Sequence, residues 1–152
     1  MTTTGMTFDM KELEKNFGKF VGDIDKKAHE GMKEAGIAFM HDTLFKSPTI
    51  PKDEGELRGS MSLVVDDILK GSSATIGVVN KGGSIATFKN SKEGDITSSV
   101  ALNKPYAAKL HDHPEYNFQE PGSGGNYLTA KLSKFGNDYM MALVNELKKV
   151  FK

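Results

Sequence analysis

The chain has 152 residues, of which 38% are hydrophobic and 26% are charged. This composition fits one globular domain and argues against a disordered tail. No apolar run approaches the roughly 20 residues of a bilayer-spanning helix, so we expect neither a membrane protein nor a membrane partner. Twenty basic residues balance twenty acidic ones, which argues against a nucleic-acid backbone as the main ligand, and the lack of cysteine excludes disulfides and Cys-ligated metals.

The N-terminal part of the chain predicts a long amphipathic helix over residues 6–45. Apolar side chains recur there at spacings of three and four: Phe17, Val21, Ile24, Ala28, Met32, Ala35 and Phe39. Four glycines each cost about 1 kcal/mol relative to alanine, which indicates close packing or a break. The helix must end before Pro48, because proline disfavours a helical residue before it. Residues 1–10 show no secretory signal, so we expect a cytoplasmic chain.

The middle of the chain is β-like. Residues 47–55 form a loop by composition, with two prolines and a terminal glycine. Four short runs are candidate strands: residues 61–65, 75–79, 85–88 and 96–102. Turn-like segments separate or end these runs: residues 70–73, 80–83 and 90–94.

A second amphipathic helix is predicted over residues 126–152, after an aromatic patch at 105–110 and a polar, glycine-rich loop at 111–125. Its apolar face carries Leu128, Leu132, Phe135, Tyr139, Leu143, Leu147 and Val150. Lys131 is assigned to the polar face. Helices at both ends of a run of strands predict a single α+β domain over residues 1–152, with both helices on one face of a small antiparallel sheet.

One cluster of residues has metal-binding chemistry. His111, His113 and Glu115 are ligand types for zinc or another divalent ion, and they support an alternative function as a metal-dependent hydrolase. The following Pro114 and the polar loop favour a solvated or interface segment. No G-x-S-x-G element occurs, and the glycine-rich residues 121–126 lack the Lys-Ser/Thr of a phosphate-binding loop. We therefore predict no enzyme, with no catalytic, cofactor-binding or metal residue.

Two stretches carry a family likeness. The first is Pro51-Lys-Asp-Glu-Gly-Glu-Leu-Arg-Gly-Ser60 after the long helix, and the second is Pro105-Tyr-Ala-Ala-Lys-Leu-His-Asp112, followed by a polar loop and Tyr127-Leu128. In this order the chain resembles the tailed-phage head–tail joining family, also called neck, tail-completion or minor capsid proteins. That family has a G-x-L-R-x-S element before its first strand and a Y-A element before a glycine-rich loop. Position 112 departs from it, with Asp in place of Glu.

The resemblance implies a structural virion protein that forms a ring in the neck, joining the capsid connector to the tail. It implies no cofactor and no catalytic residue. The implied partners are further copies of the chain in a hexamer or dodecamer, and portal, neck or tail-tube proteins, with DNA passing through the lumen without sequence recognition. The implied location is the virion neck, after assembly in the host cytoplasm. A tail terminator or a minor capsid protein is the alternative within this class.

Residues in the two family-like stretches are the candidate interface positions: Gly55, Leu57, Arg58, Tyr106, His111, Asp112 and Tyr127. Gly55 allows a positive φ where the chain turns. The Arg58 guanidinium suits a carboxylate of this or a neighbouring subunit, and Tyr106 combines an apolar ring with a polar tip. We expect the loops at 47–55 and 111–125, and the one at 81–95, to contact neighbours, with the helices serving as a frame.

Overall fold

The computed structural model describes residues 9–52, 55–78 and 85–152. Its two long helices are α1 (Met10–Phe45) and α4 (Thr129–Lys148), and its strands are β1 (Met61–Val65), β2 (Ile68–Ser72) and β3 (Ser98–Leu102). Two short helices, α2 (Glu56–Gly59) and α3 (Ala107–Asp112), and two 3-10 turns, Ser73–Ile76 and Lys149–Phe151, complete it. The long helices pack against a three-stranded antiparallel sheet of order β2-β1-β3, which confirms the predicted α+β architecture.

Helix α1 is continuous over its 36 residues. Asp9 caps its start, since one carboxylate oxygen accepts the backbone N–H groups of Lys11 at 3.0 Å and Glu12 at 3.2 Å. The predicted start at residue 6 lies outside the described residues. Of the two explanations offered for its glycines, close packing holds at two positions. A Cβ on Gly31 would lie 2.7 Å from Leu143 Cα, and one on Gly36 would overlap the side chain of Leu63.

The sheet is built on β1, whose five residues are all buried. Leu63 lies opposite Gly71 in β2 and opposite Val100 in β3. Asp66 and Asp67, with φ of 44° and 68°, turn β1 directly into β2. Two positive φ values are typical of the two-residue hairpin turn whose twist matches the strands. The hairpin therefore follows β1 immediately, and the second strand comes earlier in the chain than the sequence indicated.

Two strand predictions in this region are wrong. Residues 75 and 76 belong to a 3-10 turn, because the Thr75 hydroxyl accepts the backbone N–H of Ser72 at 2.9 Å and Gly77 ends the turn with φ of 80°. Residue 79 and the predicted turn at 80–83 lie outside the described residues. Residues 85–88 are described and form no strand, while the run at 96–102 contains β3 from residue 98 onward.

The core lies between α1, α2, β1, the start of α3 and the loops that precede α2 and α4. It centres on buried side chains from all of these: Met40, Leu44, Ile50, Leu57, Met61, Leu63, Val65, Ala107 and Tyr127. A smaller cluster of Ala35, Phe39 and Tyr139 joins α1 to α4, with the rings of Phe39 and Tyr139 5.6 Å apart. Within the described ranges, no helix is both long enough and apolar enough to cross a bilayer.

Candidate functional site

The structure brings together the two loops that the sequence singled out. The Thr49 N–H donates to the Gly122 carbonyl at 2.9 Å, and the Gly124 N–H donates to the Thr49 carbonyl at 3.3 Å. These bonds form a short parallel bridge between residues 49 and 123. The Ser47 hydroxyl adds a bond of 3.1 Å to the Gly122 carbonyl. The loops around residues 49 and 123 thus form one surface, which we call the paired loops.

The Arg58 side chain links the two loops by bonding to a residue beside each of them. Its Nε donates to the Ile50 carbonyl at 2.8 Å, and its guanidinium forms an ion pair with Glu120. The Ser123 hydroxyl donates to the same carboxylate at 2.9 Å. The carboxylate partner expected for Arg58 is therefore in the same chain. The ion pair bridges the two loops because the planar guanidinium can bond a carboxylate and a carbonyl together.

Two other candidate residues have structural roles that the sequence did not distinguish from interface roles. Gly55 adopts φ of 88°, the left-handed conformation expected of it, and starts α2. Leu57, in the first turn of α2, is 1% exposed and belongs to the core. Its side chain belongs to the same core cluster as Ile50 and does not reach the surface.

The candidates of the second stretch lie in α3 or beside it, with His111 and Asp112 in its last turn. Tyr127 is fully buried and its hydroxyl donates to the Ala107 carbonyl at 2.8 Å. Burial, with the nearby charge of Asp112 adding to it, raises the pKa of Tyr127 to about 12. The His111 ring meets the Tyr127 ring edge-on at 5.0 Å, and Tyr106 packs against the core while half-buried. Of these four candidates, Asp112 is the exposed one.

The histidine loop does not form a metal site among the residues that the structure describes. His113 Nδ1 lies 2.6 Å from Glu115 Oε1, and the His113 ring stacks on Tyr116 at 4.8 Å. His111 Nδ1 instead lies 2.9 Å from Asp112 Oδ1. No group of three or more His, Cys, Asp or Glu side chains in the described ranges is placed to hold an ion. The hydrolase alternative therefore gains no ligand set from this geometry.

Lys131 is buried, and its assignment to the polar face of the last helix is wrong. Its side chain is 0% exposed and its Nζ donates to the Pro48 carbonyl at 2.6 Å. Burial lowers the pKa of Lys131, while the charge of Asp42 opposes this shift. The sequence held one signal for this position: Lys131 shares a helix face with Phe135 and Ala142, four and eleven residues further on.

The surroundings of Lys131 tie α4 to the end of α1. Asp42 accepts a hydrogen bond from the Tyr139 hydroxyl at 2.8 Å. It also forms an ion pair with Lys46 at 3.1 Å. The Lys46 ammonium lies 4.1 Å from the centre of the Phe135 ring. Burial and the Asp42 carboxylate raise the pKa of Tyr139. This network fixes the start of the loop at 47–52 against α4.

The first part of α1 exposes an apolar face. Every residue from 9 to 23 is exposed, yet five of them are large and apolar: Met10, Leu13, Phe17, Phe20 and Val21. Phe17 is 65% exposed, and Phe20 contacts Phe151 edge-on at 5.7 Å near the end of α4. We call these five side chains the α1 stripe. It lies on the N-terminal side of the buried residues of α1, the first of which is Gly31.

A groove of about 560 Å³ lies between α1, β3 and α4. Met32, Gly36 and Phe39 line it from α1, Val100 from β3, and Leu132 and Met140 from α4. Among the described residues, none of those that line it is charged. We call it the helix groove. Sequence reasoning missed it, since it depends on how far apart the helices and the strand lie.

Comparison of the chain with protein-family models, with curated proteins and with solved structures gave no match.

Proposed function

We propose that the chain is a structural subunit of a tailed-phage virion that forms a ring in the neck and joins the capsid connector to the tail. The observation that carries an assembly role is the α1 stripe. Single exposed apolar residues are ordinary on a protein surface, but five on one face of an exposed helix form a continuous patch. Such a patch favours burial against another protein.

The resemblance supports the choice of assembly. The Gly55 to Ser60 element stands directly before β1, and Tyr127-Leu128 stands directly before α4. These are the positions that the corresponding elements have in the head–tail joining family. The paired loops and the exposed Asp112 remain the predicted contacts with portal, neck or tail-tube proteins. A tail terminator or a minor capsid protein is the alternative in this class.

The test is the state of association of the purified chain. We expect light scattering to show a concentration-dependent rise in mass to a hexamer or dodecamer, and negative-stain images to show rings. A ring that forms only when portal or tail-tube protein is added also supports the proposal. A chain that stays monomeric at every concentration and joins none of these proteins in reconstitution would refute it.

A further inference from the structure

We propose that His29 is a pH-sensitive link between α1 and the turn that joins β1 to β2. The link forms when the imidazole carries a proton on both nitrogens, and it is released when the imidazole is neutral. This inference concerns the fold of a single chain, so it does not depend on the proposed assembly.

Both nitrogens of the His29 imidazole face an oxygen acceptor. Nδ1 lies 2.8 Å from the carbonyl oxygen of Asp25, one turn earlier in α1, and Nε2 lies 2.8 Å from Asp66 Oδ2 in the turn. Carbonyl and carboxylate oxygens accept hydrogen bonds and have no hydrogen to donate. A neutral imidazole has one N–H and satisfies one of these contacts, whereas the imidazolium satisfies both. The geometry therefore favours the protonated form.

The charged groups around His29 favour the same form. Asp25 Oδ1 lies 3.6 Å from Nδ1, and Asp66 faces the imidazole from the turn. Lys26 and Lys33 are the cations on the same side of α1, three residues before and four residues after His29. The bond to the Asp25 carbonyl, followed by the Asp66 carboxylate, raises the pKa of His29 above its ordinary 6.5, while burial opposes the shift. The folded chain thus keeps the second proton to a higher pH than the unfolded chain does.

Asp66 extends the link to the start of β3. Its second carboxylate oxygen, Oδ1, accepts the Thr97 N–H at 2.7 Å, and its own N–H donates to the Thr97 carbonyl at 3.0 Å. One carboxylate therefore holds His29 with one oxygen and the residue before β3 with the other. Further along α1, the Met32 carbonyl accepts the Ser98 hydroxyl at 3.1 Å. Helix α1 is thus bonded to this end of the sheet by a titratable contact and by one that does not titrate.

The neighbouring Asp67 attaches the loop at 85–97 to the same turn. Its Oδ1 accepts the N–H groups of Asn90 at 2.6 Å and of Ser91 at 2.7 Å. These bonds do not involve His29, so its protonation should leave them unchanged. The charge on His29 therefore decides whether the turn, together with the loop attached to it, is also bonded to α1. That loop belongs to the segment predicted to contact neighbours.

The direction of the pKa shift gives the pH range of the link. A histidine whose pKa is raised by folding stabilises the chain fully below the unfolded value of 6.5, and this contribution is lost as pH rises through the folded value. Above that value the neutral imidazole of His29 places a lone pair against one of its two oxygen neighbours, and that contact becomes repulsive. We therefore expect the link to be complete near pH 5.5 and released near pH 8.5.

NMR spectroscopy of the isotope-labelled full chain tests the link. The His29 imidazole is titrated between pH 5.5 and 8.5, and its signals are assigned by comparison with His29→Gln. We expect a midpoint above 6.5 in the unsubstituted chain and a lower midpoint in Asp66→Asn. Asparagine removes the charge and tolerates the φ of 44° at this position, so this variant keeps the turn.

Amide hydrogen exchange, corrected for the intrinsic rate at each pH, measures the release. Losing one charge-assisted bond at a partly exposed position should lower the protection factor of the Thr97 amide by about three- to tenfold between pH 5.5 and pH 8.5. The Ser91 amide, which is held by Asp67, is the internal reference and should change by less than about twofold.

Two variants separate the link from a merely structural effect. His29→Gln keeps a donor that does not titrate, so its Thr97 protection should be the same at both pH values. His41→Gln is the matched control, since His41 is an exposed histidine of the same helix whose ring lies beside Asp42, and it should keep the full pH dependence.

Three results would overturn the inference: a His29 midpoint at or below 6.5, a midpoint that Asp66→Asn leaves unchanged, or a Thr97 pH dependence that persists in His29→Gln. The midpoint in the unsubstituted chain decides the question even where a variant fails to fold.

Discussion

Replacing Lys131 with methionine tests whether this lysine is a buried part of the fold. The side chain is wholly enclosed and its ammonium donates to the Pro48 carbonyl at 2.6 Å, a contact that spans 83 positions in the chain. Methionine has a similar stem and fills most of the same space, but it cannot donate the hydrogen bond. The substitution therefore removes the bond while leaving the packing nearly intact.

The expected loss in the free energy of unfolding is about 1–2 kcal/mol at pH 7. A hydrogen bond from a charged donor contributes about 1.5–3 kcal/mol, and a buried carbonyl left without a partner costs about 1–3 kcal/mol. The opposing effect is relief from burying an ammonium, which is the main cause of the lowered Lys131 pKa. The two effects act in opposite directions, so the net loss is smaller than the bond alone would give.

The pH dependence gives this prediction a distinct signature. Between the lowered pKa of folded Lys131 and the usual 10.5, the unfolded chain holds more protons than the folded one, so stability from this group rises with pH. The methionine variant lacks this gain. Urea unfolding followed by circular dichroism at pH 7 and pH 10 should show the difference between the two proteins widening with pH.

Lys134→Met is the control, because Lys134 is exposed one turn further along α4. It should change stability by no more than about 0.5 kcal/mol at either pH. The reasoning is refuted if both methionine variants behave alike, or if the Lys131→Met difference does not grow between pH 7 and pH 10.

Two further predictions concern glycine and tyrosine positions. Gly36→Ala should destabilise the chain by about 1–3 kcal/mol in urea unfolding because the new methyl group overlaps Leu63, whereas Gly18→Ala, with open space around it, should stabilise it by about 0.5–1 kcal/mol. Tyr127→Phe should cost about 1 kcal/mol at pH 7, the loss of the hydroxyl bond to Ala107. Because burial raises the Tyr127 pKa to about 12, the stability that this hydroxyl contributes is complete below pH 10 and is lost between pH 10 and 12. The free energy of unfolding of the phenylalanine variant should therefore fall less steeply with pH in this range.

The glycine and tyrosine predictions can each be contradicted by one result. Equal effects of alanine at Gly36 and Gly18 would mean that α1 does not approach the sheet as closely as described. Parallel alkaline unfolding curves for the Tyr127→Phe variant and the unsubstituted chain would mean that this hydroxyl is not buried.

The helices were predictable because their apolar side chains repeat with the helical period. The same repeat predicted the exposed half of α1, where Phe17 and Val21 continue the stripe although both are exposed among the residues that the structure describes. Strand β1 was predictable from its apolar residues. Strand β2 was not, because Lys70-Gly-Ser72 has the composition of a turn and lies at an exposed edge, where pairing with β1 decides its conformation.

The candidate site was predictable in its loops but not in their arrangement. Composition identified the segments around Pro48 and Gly122 as loops, yet the bonds that join them run between backbone groups, which leave no trace in side-chain chemistry. Leu57 and Tyr127 were predicted as interface candidates and are buried in the core, because a single sequence does not separate a core residue from an interface residue. Lys131 was assigned to the polar face because it is charged, although it lies one helical turn before Phe135 on the face that is buried.

The pairing of α1 with α4 has a consequence for the order in which the chain folds during synthesis. The Tyr139 hydroxyl reaches Asp42 across 97 positions, and the Lys131 ammonium reaches Pro48 across 83. Contacts of such sequence separation form late, because the intervening chain must first be ordered. During synthesis the apolar side of α1 therefore stays uncovered until α4 has emerged from the ribosome, and chaperones or other chains can bind it in that time. The time needed to translate residues 46–128 sets how long α1 is exposed.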